Sequence, residues 1–200
     1  MNTVDNALFY ALSLLYIPYR WYREGEVIDG DDKFWAKNGP PPSSQQIQEE
    51  DKCIVCTGLI NLMRRYNGLS IPGLDGTLDE HGLLYPGTTG IWFQYLLMKE
   101  RLEPIDIKKK YPRGTLLLRN FRNNEEDQGH VAVLLTDESD SISHEKIIHA
   151  YSDVDYETSL KEHITNVGIV GISHFQYSHG FDESGYYTHI CLPENWLMNE

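Results

Sequence analysis

Apolar residues in this 200-residue chain keep a helical spacing to about residue 97, then fall into short alternating or continuous runs after about residue 115. A helix buries every third or fourth residue and a half-buried strand every second, so this change of period separates a helical part from a stranded part. Ala7, Leu8, Ala11, Leu12, Leu14 and Leu15 predict a helix over 6–16 with Asp5 as N-cap. Pro18 closes it, because a proline disfavours helical geometry at the residue before it. A second helix is predicted over 56–66, with Leu59, Leu62, Met63 and Tyr66 as its apolar stripe and Asn67-Gly68 as its stop. Thr88 or Thr89 caps a third helix carrying Trp92, Tyr95, Leu96 and Leu97. Strands are predicted over 115–119, 130–135, 146–151, 168–173 and 186–192, and no internal repeat is present. Helices first and strands afterwards predict one α+β domain, with the N-terminal helices packed on a central antiparallel sheet.

Residues 23–50 interrupt the helical part. Gly25, Gly30, Gly39, Pro40-Pro41-Pro42 and the polar run Ser43-Ser44-Gln45-Gln46 predict a long surface loop, an insertion expected to act as a lid. The remaining length suits a single domain over 1–200.

Charge narrows the range of partners. Seventeen Lys and Arg against thirty Asp and Glu leave a formal charge of −13, which repels phosphates and makes nucleic acid and anionic membranes poor ligands. The run Lys108-Lys109-Lys110 reads as a solvated edge before a strand. No apolar run approaches the roughly 18–20 residues of a membrane-spanning helix. Asp5 stands where an export signal carries positive charge, and three cysteines make no disulfide framework, so a reducing, cytoplasmic setting is expected.

The chemistry-bearing residues stand at element boundaries. Cys56 opens a predicted helix, where unpaired amide protons and the positive dipole end favour a thiolate. Those amides are also donors for a developing oxyanion. A cysteine alone is more often a small packed residue. His130 opens one predicted strand and His149 lies in the next, so the two rings can meet across an antiparallel pair. Gly58 would let the helix lie close to a neighbour.

Five blocks in order then resemble the NlpC-type cysteine peptidases and amidases, a compact papain-like family. The first is the apolar helix followed by Pro18-Tyr19 and Trp21, and the second is Cys56-Thr57-Gly58-Leu59-Ile60. Arg113-Gly114-Thr115-Leu116-Leu117, Gly129-His130-Val131-Ala132-Val133 and Ile148-His149-Ala150 complete the set. The resemblance implies a papain-like fold and a thioester mechanism, with Cys56 as nucleophile, His130 as base and acid, and His149 as the residue orienting His130. It also places Tyr19 and Thr57 at the substrate, with no metal and no cofactor. The substrate implied is a peptide or peptide-like amide; acyl transfer, deamidation and a non-catalytic binding module stay open as alternatives. Two departures bear on substrate. The family usually has Asp before the nucleophile and Ser after it, where this chain has Val55 and Thr57, and the glycines that follow the family tryptophan are absent after Trp21. Both weaken the case for a peptidoglycan stem peptide.

Cys53 and Cys56 form a C-x-x-C pair, but no strand is evident just before it, so Cys53 is read as a packing residue. His163, His174, His179 and His189 lack metal-ligand spacing. Tyr177, Phe181, Tyr186 and Tyr187 are read as packing aromatics.

Overall fold

A computed structural model of the protein describes residues 2–19, 34–74, 89–119, 129–151, 168–175 and 187–198. The helices are α1 (Thr3–Ser13), α2 (Ser44–Glu49), α3 (Cys56–Tyr66), α4 (Thr89–Met98) and α5 (Pro193–Trp196). The strands are β1 (Glu103–Pro104), β2 (Leu116–Arg119), β3 (His130–Leu134), β4 (Lys146–Tyr151), β5 (Ile169–His174) and β6 (His189–Cys191). They form one six-stranded sheet in the order β1-β6-β2-β3-β4-β5, with every pairing antiparallel. The chain is thus an α+β structure, with α1 to α4 ahead of the sheet and α5 after it.

Strand alternation splits the apolar residues of the sheet into two cores. Leu116, Leu118, Val131, Val133, Ile148, Ala150 and Val170 join the residues of α1, α3 and α4 in the larger one. Leu117, Ala132, Leu134, Ile147 and Ile190 pack on the other face with Tyr111, Phe175 and Tyr187. The central element is α3, buried from Thr57 through Arg65. Its two buried cations need acceptors. Arg64 donates to the carbonyls of Ser70 and Trp196, and Arg65 to those of Phe34, Gly39 and Pro40. Tyr66, expected in the apolar stripe, is instead exposed and stacked on Tyr10.

Two further local expectations are corrected. Asn2, not Asp5, caps α1: its side chain accepts from the Asp5 amide, and Asp5 is free to pair with Arg113. The described part of 23–50 is not a loose surface loop. Phe34 to Ala36 form a 3-10 turn with Phe34 and Trp35 buried, and α2 buries Ile47 fully. A reciprocal capping box between Ser43 and Gln46 starts α2 where composition alone read loop. This segment packs on α3: a Cβ at Gly58 would meet Trp35 Cγ at 3.0 Å. Residues 20–33, Trp21 among them, lie outside the described residues, as do Thr88, His163, Tyr177, His179, Phe181 and Tyr186.

Candidate active site

Cys56 is the first residue of α3, with Val55 in an extended N-cap conformation that supplies no side-chain cap. The helix therefore starts with open amides beside the sulfur. Burial pushes the Cys56 thiol up from its ordinary value. The Thr89 hydroxyl, the Thr57 and Val131 amides and the Arg119 charge oppose that push. The Thr89 Oγ1 lies 3.5 Å from the sulfur. Among the described residues the Thr89 hydroxyl and the Thr57 and Val131 amides are the hydrogen-bond partners of the sulfur, and the His130 ring is not one of them. The sulfur meets β3 at the Val131 amide, one residue past His130.

The imidazole pair is built by register. Val133 stands beside Ile148 in the β3–β4 ladder, so His149 continues opposite Ala132 and His130 lies diagonal to it. Diagonal neighbours are within reach of aromatic side chains. His130 Nε2 and His149 Nδ1 are 3.0 Å apart, and both residues are buried. The rings share the strand face of Ala132 and Leu134, where the Tyr187 ring lies 6.1 Å from that of His130. Burial holds His130 well below its ordinary value, with the charges of His149 and Arg119 acting in the same direction. Burial also brings His149 down to about 3. Both rings are therefore neutral near pH 7.

Two further expected residues sit close to the nucleophile in the chain's path. Tyr19 is nearly buried and forms an isolated parallel bridge with Ile54, which sets it alongside the segment leading into Cys56. Thr57 is buried in the first turn of α3, and its amide faces the sulfur.

Three residues join the site that motif reading did not find. Thr89 was expected only as a helix cap, yet its hydroxyl contacts the sulfur. Arg119 lies directly opposite His130 in the β2–β3 register and is buried. Ser173 Oγ lies 3.0 Å from His149 Nε2. Arg119 had a readable signal, since pairing the two predicted strands as a hairpin brings their facing ends together.

Cys191 and His189 make other contacts. No disulfide joins Cys53, Cys56 and Cys191, and burial raises Cys191 to about 12. His189 Nδ1 lies 2.9 Å from Thr188 Oγ1, and its ring packs edge-on against Phe93. Among the described residues no group of three or more His, Cys, Asp or Glu is arranged to hold a metal ion. No described helix is long and apolar enough to cross a membrane. Comparison with known proteins adds no relative: no family model matches the chain, and no curated protein and no solved structure matches it.

Proposed function

We propose that this chain is a papain-like cysteine hydrolase of the NlpC type, cleaving an amide or isopeptide bond in a peptide or peptide-like substrate. The observation that carries the reading is the 3.0 Å bond between His130 Nε2 and His149 Nδ1, at the start of the strand that the Cys56 sulfur meets through the Val131 amide. That bond orients His130 and makes Nδ1 the nitrogen available for proton transfer with Cys56. Catalytic hydrogen bonds commonly tighten only once substrate is bound, and the contact between sulfur and Nδ1 belongs to that step.

With the thiol and both imidazoles neutral at rest, the reaction proceeds by general-base attack rather than from a preformed ion pair. The Cys56 proton passes to His130 Nδ1 as the sulfur bonds to the amide carbon. The carbonyl oxygen takes the electron pair and is held by backbone amides at the start of α3. His130 then returns its proton to the departing nitrogen, the C–N bond breaks, and a thioester remains. Water gives a proton to His130 while its oxygen attacks the thioester carbon. The acid leaves and the proton returns to sulfur. Val55 removes the carboxylate that cell-wall enzymes of this type place before the nucleophile, which weakens the case for a peptidoglycan stem as substrate. Three cysteines, too few for a disulfide framework, support a reducing, cytoplasmic setting, and the charge of −13 disfavours nucleic acid and anionic membranes as partners.

The test is labelling of Cys56 by an electrophilic probe in the folded protein, read by mass spectrometry. Cys56 should label ahead of Cys53 and Cys191, and His130→Ala should slow that labelling about 100-fold. Equal labelling in wild type and His130→Ala would remove His130 as base and the hydrolase reading with it.

A further inference from the structure

We propose that Ser173 is a positioning residue that holds His149 as its Nε2–H tautomer and so keeps His130 Nδ1 unprotonated. This rests on the reading of Cys56 and His130 as nucleophile and base. Ser173 faces Ile147 in the β4–β5 register and Gly171 faces His149, so Ser173 lies diagonal to His149 as His149 lies diagonal to His130. Three successive strands thus each give one polar side chain to a line of two hydrogen bonds, each 3.0 Å long.

A neutral imidazole carries one N–H, so this line has only two self-consistent polarities. In the outward one, His130 Nε2–H donates to His149 Nδ1, and His149 Nε2–H donates to Ser173 Oγ. His130 Nδ1 then carries a lone pair. In the inward one, Ser173 donates to His149 Nε2, His149 Nδ1–H donates to His130 Nε2, and the His130 proton sits on Nδ1. Only the outward polarity can accept the thiol proton at Nδ1. It also leaves the resulting imidazolium with an acceptor for its Nε2–H, so no buried donor is stranded.

The surroundings favour that polarity. Ser173 is only partly buried, so its own O–H can donate to solvent while its oxygen accepts from His149. The Tyr151 ring stacks on His149 at 4.0 Å and 14°, fixing the plane of the ring and therefore the direction of both its nitrogens. Gly171 makes room for that stack, because a Cβ there would stand 3.0 Å from Tyr151 Cε1. The line is held from two sides.

Long-range 1H–15N spectra of 15N-labelled protein read the tautomer of each histidine directly, and iodoacetamide reads Cys56 in the same samples. Wild type should show Nε2–H on both rings. Ser173→Ala should move His149 toward Nδ1–H and slow Cys56 alkylation at neutral pH about tenfold, the equivalent of one buried hydrogen bond. Ser173→Thr, which keeps the hydroxyl, should restore both. A wild-type His149 found as Nδ1–H overturns the proposal whether or not the alanine variant folds. So does a Ser173→Ala protein with tautomer and rate unchanged. Slow wild-type alkylation that is insensitive to His130→Ala is a separate result: it sinks the hydrolase reading and leaves the tautomer measurement standing.

Discussion

Arg119 acts on both halves of the candidate pair in the same direction, favouring loss of a proton from each. Its charge draws the Cys56 thiol toward ionisation and disfavours protonation of His130. Removing that charge should raise the titration points of both groups together. Arg119→Gln is therefore expected to move both limbs of the pH–rate profile to higher pH and to slow Cys56 alkylation several-fold near neutrality. Arg119→Lys should move them less. Limbs that stay in place would show that the guanidinium does not act on the pair. The legible and hidden residues of the site differ in one physical respect. Cys56, His130 and His149 sit within local patterns, a helix start and two alternating strands. Thr89 and Ser173 reach their partners across 33 and 24 residues of chain, and only the packed sheet and helix starts bring them in.

At the scale of elements, α3 depends on the turn that carries Trp35. A Cβ at Gly58 would lie 3.0 Å from Trp35 Cγ and 3.2 Å from Ile54 Cγ2, close to the roots of both side chains, where little can yield. Gly58→Ala sets a helix-propensity gain of about 1 kcal/mol against overpacking of similar size. Gly58→Val has less such compensation, since valine gains less helix propensity than alanine and adds two more carbons. It should cost about 2–3 kcal/mol in urea unfolding and slow Cys56 labelling, because the turn and the helix start would shift together. A Gly58→Val protein of unchanged stability would show that Trp35 does not constrain α3. Elements with strong periodicity, α1, α3 and β2 to β5, were readable within a few residues. By contrast, α2 was hidden by its polar composition, and its one local sign was the Ser43–Gln46 cap. The two-residue strand β1, with Pro104 in it, owes its existence to pairing with β6 some 85 residues later, a non-local pairing that no window of sequence contains.

For the whole molecule, the buried imidazoles make stability depend on pH in a definite direction. His130 and His149 are held neutral when folded but protonate near their ordinary value of about 6.5 when unfolded. Below that value the unfolded chain binds more protons than the native one, so stability falls with falling pH. Each buried ring contributes a slope of about 1.4 kcal/mol per pH unit, and for His149 the window runs down to about 3. Glu145 adds in the same direction at the acid end. Burial works against its ionisation, but hydrogen bonds from Ser139 and Thr136 outweigh it and lower its titration point, so its contribution is lost as that carboxylate protonates. The charge of −13 pulls the other way, because acidification relieves surface repulsion. Salt separates the two effects: at about 0.15 M the exposed charges are screened beyond about 8 Å, while buried rings are not. Urea unfolding at that ionic strength should therefore lose stability steadily from about pH 6.5 to pH 4. His149→Gln keeps a polar side chain on β4 but does not titrate, so one imidazole's share of the slope should disappear. A variant slope equal to that of wild type would mean that His149 is not held neutral in the folded protein, and the outward line from His130 through His149 to Ser173 would lose its basis.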